Sequence, residues 1–144
     1  MADSNFASMT HEVFVPREIV YDLWTTAEHL AQWYPPPSSS DARAEVDLRR
    51  GGRFEITWRN AAGGTEAHNG IYIELAPPQR MVYTLVDIDG DELPGEVRVE
   101  LEDLGGTTRI GIQHFGLTTA DARQHRADEW QHALHRLTDY LSVI

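Results

Sequence analysis

The chain contains no cysteine and no lysine, and it has no long hydrophobic run. Without cysteine there can be no disulfide, thiol nucleophile or thiolate metal ligand, so packing and hydrogen bonds must hold the fold together. The longest apolar runs, such as residues 71–73, are far shorter than the roughly 18 residues that a membrane-spanning helix needs. The opening MADSNFASMT has neither the basic start nor the apolar segment of a secretory signal. We therefore expect a cytoplasmic protein with no membrane span.

Positive charge is also scarce. The 12 basic side chains, all arginine, are outnumbered by 23 acidic ones, and the formal net charge is −11. Nucleic-acid binding needs clustered basic side chains that neutralise phosphates, and the densest cluster here contains only Arg49, Arg50 and Arg53. The composition predicts no nucleic-acid partner.

Hydrophobic periodicity divides the 144 residues into an ordered series of elements within one domain, 1–144. Alternation predicts a first strand at 9–15, and three-to-four-residue spacing predicts two short helices, at 17–26 and 28–33, before a Pro- and Ser-rich loop. Glycine and proline turns, one of them at 89–91, then separate further strands at 42–48, 53–58, 68–75, 80–88, 96–101 and 107–115.

The chain ends in a long helix with one apolar face. Thr118 or Thr119 is the predicted N-cap, and the apolar stripe follows helical spacing through Ala127, Trp130, Leu134, Leu137 and Leu141. Such a stripe can be buried only across one face of a curved sheet. We therefore predict an α+β fold in which an antiparallel sheet of about six to seven strands wraps one long C-terminal helix. Because the helix cannot touch every strand, we expect a ligand cavity at one end.

Several segments resemble a known family. They read VPREIVYDLWT at 15–25, LAQWY at 30–34, DLRRGGRF at 47–54, GIYIE at 70–74 and PPQRMVYT at 77–84, followed by the last helix. Over residues 9–142 the chain resembles a bacterial member of the group named for homology to the activator of the heat-shock-protein-90 ATPase. That group lies within the START-like (SRPBCC, helix-grip) superfamily. The resemblance implies a hydrophobic cavity between sheet and long helix, as in lipid carriers, hormone receptors and polyketide cyclases, and implies no particular reaction.

Two positions depart from the family pattern. Tyr34 is followed by three prolines where the family has Gly-Pro after a second aromatic, which changes the loop near the predicted pocket mouth. Glu129 stands where the family commonly has glycine before the tryptophan of the last helix, which crowds a close helix contact. The eukaryotic activator also carries an N-terminal domain that engages the chaperone, for which 144 residues leave no room. We expect that the reference to chaperone activation in the family's name is inherited by homology and does not describe the activity of this chain.

The candidate ligand-binding residues are the large apolar side chains on the inward faces of the strands and helices. They are Trp33, Phe54, Ile56, Trp58, Trp130, Leu134 and Leu137. We expect most of them to be ordinary core residues, with Trp33, Trp58 and Trp130 the stronger ligand contacts. As ligand contacts, the aromatic ones suit a ring-bearing or acyl ligand with few polar groups. Arg123 and Arg126 fall on the same helical stripe, where one of them would pair with a ligand carboxylate or, alternatively, extend from the helix edge to Asp or Glu.

Polar strand residues supply the catalytic candidates. His68, Tyr83 and His114 lie on strands whose faces the sequence does not fix, and an inward histidine would give the pocket a proton-transfer group. His11 shares a face with apolar neighbours, so we expect a core histidine with its hydrogen bonds satisfied.

The last helix also carries histidines and aspartates opposite its apolar stripe. These are His125, Asp128, His132, His135 and Asp139. Their spacing is typical of a solvated helix surface, so we predict no metal site and no cofactor.

We conclude that the sequence favours binding of a small hydrophobic or amphipathic molecule in the cavity. Two alternatives stay open: an enzyme of polyketide cyclase or dehydratase type acting in the same pocket, and a chaperone-associated interaction module. A homodimer is compatible with either.

Overall fold

The computed structural model describes residues 5–87 and 95–144, so the turn predicted at 89–91 lies outside the described residues. Within those ranges the chain forms a seven-stranded sheet and three helices. In chain order they are β1 (Phe6–Val13), α1 (Arg17–Thr25), α2 (Ala27–Trp33), β2 (Ser40–Val46), β3 (Arg53–Arg59), β4 (Thr65–Ala76), β5 (Arg80–Asp87), β6 (Gly95–Asp103), β7 (Thr108–Phe115) and α3 (Ala120–Leu141). The predicted order of elements is confirmed.

The sheet is antiparallel, with the strand order β1-β7-β6-β5-β4-β3-β2. Pairing with β7 explains why β1 starts earlier than predicted: Phe6 lies opposite Phe115, and the two rings stack with centroids 4.9 Å apart. The strand ends at Val13, before Pro16, which has no N–H to continue the ladder.

The middle of the sheet is bent. A register shift between Tyr72 and Glu74 interrupts the pairing of β4 with β5. At Gly70 an added Cβ would lie 1.7 Å from the Thr84 carbonyl oxygen and 2.9 Å from Phe54 Cε2, so only glycine fits there. A bulge and a glycine are the usual means of curving a sheet. Here they bend the strands around α3.

The cap of α3 shows why the helix begins where it does. The Thr119 hydroxyl accepts a hydrogen bond from the Ala122 N–H at 3.0 Å, and Asp121 lies in the first turn. Its buried residues include Trp130, Leu134 and Leu137, as the helical spacing predicts. The α+β helix-grip arrangement is therefore confirmed. None of the helices within residues 5–87 and 95–144 is long and apolar enough to cross a membrane.

Two local predictions are wrong. β2 ends at Val46 rather than residue 48, because the Gly52 N–H bonds to the Arg49 carbonyl oxygen at 2.8 Å and closes a turn there. His11 is half-buried rather than part of the core, because it lies at the edge between β1 and α3. Its Nε2 is 2.8 Å from the Thr138 hydroxyl, so its hydrogen bonding is satisfied as expected.

Candidate functional site

A cavity of about 60 Å³ lies between the inner face of the sheet and α3. Its apolar wall is formed by Tyr34, Trp58, Leu85, Trp130 and Ala133. Ala133 is the smallest of these side chains, and its position on a buried face of α3 leaves space that a leucine would fill. The small side chain of Ala133 thus leaves room beside the aromatic rings of Tyr34, Trp58 and Trp130.

The remaining lining residues are more polar or more exposed: Pro36, His68, Arg126, Glu129 and Arg136. Pro36 and Glu129 are exposed to solvent, so the cavity opens on their side. The two departures from the family pattern, the proline run and Glu129, thus meet at this opening. Glu129 does not crowd a helix contact, since its carboxylate bonds to Arg126 Nη1 at 2.9 Å.

Tyr34 and His68 form a hydrogen-bonded pair in the cavity wall. Tyr34 directly follows α2, and His68 points inward from β4, so that Tyr34 Oη lies 2.7 Å from His68 Nδ1. Both side chains are buried. The pair places an ionisable ring and a phenol beside the cavity, which is the arrangement that proton transfer to a bound molecule needs.

The four tryptophans differ in what their indole N–H groups do. Trp24 donates to Tyr83 Oη at 3.2 Å, Trp33 to the Leu23 carbonyl oxygen at 2.8 Å, and Trp130 to His114 Nδ1 at 3.0 Å. Trp58 is 4% exposed, and its Nε1 has no hydrogen-bond partner within residues 5–87 and 95–144. A buried donor without an acceptor costs about 1–3 kcal/mol, so it is rare in folded proteins.

The arginines of α3 have separate roles. Arg126 is buried and lines the cavity, whereas Arg123 donates to the Leu117 carbonyl oxygen at 3.1 Å and does not belong to the lining. Arg136 donates to the carbonyl oxygens of Trp33 and Tyr34, at 3.1 and 2.8 Å. These bonds satisfy the end of α2 and fix the loop that begins there. Burial lowers the pKa of Arg136 from its ordinary value.

His114 and Tyr83 lie apart from the cavity lining, although both point inward. Burial, with the nearby charges of Arg126 and His68, lowers the pKa of His114 to about 3. The ring is therefore neutral, and its Nδ1 lone pair is used by Trp130. Burial likewise raises the pKa of Tyr83 well above its ordinary value. These two catalytic candidates pack as core residues.

A second, much smaller void of about 10 Å³ lies deeper in the core. Phe54, Ile56 and Tyr83 line it, together with Trp24, Leu30 and Tyr72. Tyr34 lines both spaces. Trp33, Leu134 and Leu137 are fully buried but line neither space. Among the candidates, Trp58, His68, Arg126 and Trp130 meet at the larger cavity. Their part in ligand binding stays a prediction.

The histidines and aspartates on the outer face of α3 are exposed, as the helical wheel predicts. They are His125, Asp128, His132, His135 and Asp139. His125 Nε2 lies 3.6 Å from Glu129 Oε1, one turn along the helix. In the part of the chain that the structure describes, no three His, Asp or Glu side chains are grouped so as to hold a metal ion.

Sequence reasoning missed Tyr34, Leu85, Ala133 and Arg136 as lining residues. Tyr34 carried a signal, because it stands beside Trp33 in the motif that departs from the family. Ala133 carried none, since a cavity depends on what a small residue faces.

A curved sheet gripping one long helix, with an aromatic cavity between them, defines a START-like (SRPBCC, helix-grip) domain. The chain belongs to the family described as activator of Hsp90 ATPase homolog 1-like protein, whose model matches residues 15–142.

Solved structures share this fold across almost the whole chain. A Chromobacterium violaceum protein is 27% identical, with 94% of this chain and 96% of that chain covered and a TM-score of 0.79. A Nitrosomonas europaea protein is 21% identical (96% and 94% covered, TM-score 0.80). An Hsp90 activator from Plasmodium falciparum is 23% identical (96% and 97% covered, TM-score 0.76). The search of curated proteins found no match.

Proposed function

We propose that the protein binds a small, mainly apolar molecule in the cavity between β3, β4, β5 and α3. The observation that carries this proposal is the aromatic-walled space at Tyr34, Trp58 and Trp130, which stays open inside an otherwise tightly packed core. Folded cores rarely leave such spaces, because unfilled volume loses dispersion contacts. A ligand would restore them.

The volume limits the size of the ligand. A single water molecule occupies roughly 10–15 Å³ of such a cavity. A cavity of about 60 Å³ therefore holds a group of only a few non-hydrogen atoms. The rest of a ligand would extend past Pro36 and Glu129 into solvent. This supports a one-ring or short acyl compound, whereas a whole lipid requires movement of the wall.

The first experiment is native mass spectrometry of the purified protein, followed by denaturing extraction of any bound compound. A stoichiometric apolar molecule is expected. If the protein is empty and no member of a lipid and aromatic-acid library raises its melting temperature, the proposal fails.

A cavity-filling variant makes the test specific. Ala133→Leu should abolish binding by occupying the cavity. Ala120→Leu, at an exposed position of the same helix, should leave binding unchanged. Equal binding by both variants would place the ligand elsewhere.

A second candidate function is acid–base catalysis in the same cavity, favoured by the Tyr34–His68 pair at 2.7 Å. His68 would take a proton from a bound substrate at Nε2 while its Nδ1–H donates to Tyr34 Oη, which orients the ring. His68→Gln should then abolish turnover of the extracted compound while its binding and the circular dichroism spectrum persist. Turnover that survives this substitution would exclude the role.

The family description and the Plasmodium relative support a third candidate, a chaperone-associated role. It predicts saturable binding to the ATPase domain of the chaperone. Ala133→Leu would not affect that binding, because the cavity plays no part in it. This variant therefore separates the third candidate from the first two.

A further inference from the structure

The indole N–H of Trp58 is the feature of the cavity that apolar ligand binding alone does not explain. Trp58 is 4% exposed and lines the cavity, yet its Nε1 has no acceptor within the described ranges. None of the described residues accepts from Nε1, and the ring borders the cavity, so a molecule bound there is a source of the missing acceptor; because Nε1 is itself buried, the wall must shift slightly to admit it. We propose that the cavity is a subsite for the carbonyl or carboxylate oxygen of an aromatic ligand, which accepts a hydrogen bond from Trp58 Nε1. This inference rests on the proposed function.

The charges around the cavity favour an oxygen acceptor. The lining contains two arginines, Arg126 and Arg136, and a single carboxylate, Glu129, although acidic side chains outnumber basic ones by 23 to 12 in the whole chain. The positive charge of Arg126 also acts within the interior, because it helps to lower the pKa of His114. An electron-rich oxygen is stabilised by such surroundings, and a ligand cation is not.

The walls favour an aromatic ring attached to that oxygen. The ring of Tyr34 lies 6.2 Å from that of Trp58 and 6.3 Å from that of Trp130, with both pairs strongly inclined. Inclined aromatic walls present ring edges and faces to the same space, and a third ring packs well against them. A planar aryl carbonyl compound matches both the walls and the donor.

Three compounds of nearly identical shape test the proposal: α-methylstyrene, acetophenone and benzoate. The first has a CH₂ group where the second has the carbonyl oxygen, and the third adds a negative charge. Affinities are measured by ligand-observed NMR. A hydrogen bond to an otherwise unsatisfied donor predicts that acetophenone binds about five- to tenfold more tightly than α-methylstyrene.

Trp58→Phe should remove this preference while α-methylstyrene still binds. Trp130→Phe is the matched control: it deletes an indole of the same cavity whose N–H is already bonded to His114, so the preference should persist. Equal affinities of the two neutral compounds for the natural protein, or a preference that survives Trp58→Phe, would overturn the inference and leave ligand binding intact. If none of the three compounds binds although native mass spectrometry finds an apolar ligand, the inference fails and the proposed function stands.

A second readout does not depend on how the variants fold. In ¹H–¹⁵N spectra of the natural protein, the indole signal of Trp58 should shift on addition of acetophenone by more than on addition of α-methylstyrene. The indole signals of Trp24 and Trp33, whose protons are bonded within the protein, should respond alike to both compounds. Identical shifts of the Trp58 signal with both compounds would contradict the proposal.

Discussion

Two spaces in the described part of this protein have similar aromatic walls but different polar groups. The deeper one, about 10 Å³, is lined by Trp24, Tyr72 and Tyr83 among others, and the indole of Trp24 donates to Tyr83. The larger one, about 60 Å³, contains three charged side chains and the indole of Trp58, which has no acceptor in residues 5–87 and 95–144. Aromatic composition therefore does not separate a core from a site. Their polar groups do differ, since the indole of Trp24 is bonded and that of Trp58 has no acceptor among the described residues; buried donors are rarely left unsatisfied.

Tyr34 is the boundary between these spaces. Its ring lines both, and its hydroxyl bonds to His68 in the wall of the larger cavity. Arg136 holds the backbone at Tyr34 from α3. One side chain is thus held in place from β4 and from α3 while it lines both spaces.

The largest expected effect on stability comes from shortening a buried leucine, and it should differ between a leucine packed in the core and one that lines the cavity. Leu134 is fully buried away from both spaces, whereas Leu85 already faces the larger cavity. Leu134→Ala should lower the free energy of unfolding by about 3–5 kcal/mol, and Leu85→Ala should cost nearer the lower end of the range of about 2–5 kcal/mol. Urea denaturation measures both. A larger loss for Leu85→Ala would mean that the cavity wall is packed as tightly as the core.

A strong effect of acid is expected from His114. Its pKa is about 3 in the folded protein, against an ordinary value of 6.5, so the folded state favours the neutral ring. Its contribution to stability is complete above pH 6.5 and is lost as pH falls from there towards 3, because only the unfolded chain takes up the proton. The loss approaches about 1.4 kcal/mol per pH unit.

The control for this prediction is His114→Gln, whose amide oxygen can still accept from Trp130 but does not titrate. The difference in unfolding free energy between the natural protein and this variant should shrink steadily below pH 6. Parallel stability curves for the two proteins would show that His114 titrates normally when folded. Because His11 titrates in both proteins, its contribution cancels.

The sequence predicts most of the fold, since alternation and helical spacing identify which faces are apolar. It could not assign a face to His68, because β4 carries apolar side chains on both faces: Tyr72 is buried, whereas Ile71 and Ile73 are exposed. Nor could it separate Trp58 from Trp33, because whether an indole finds an acceptor, as Trp33 does at the Leu23 carbonyl oxygen, depends on how the elements pack. Cavities and unpaired donors depend on tertiary partners that are far apart in the chain.

The smallest effect on stability is expected at Tyr34, which lines both spaces. Tyr34→Phe keeps the ring that separates the two spaces and removes only the hydroxyl bonded to His68, so stability should fall by about 0.5–1.5 kcal/mol. The affinity for α-methylstyrene, measured by ligand-observed NMR, should stay the same, since the volume of the cavity is unchanged. If affinity instead fell as far as stability, the Tyr34–His68 pair would have to contact the ligand directly. That result would move the weight of evidence from passive binding towards the acid–base candidate.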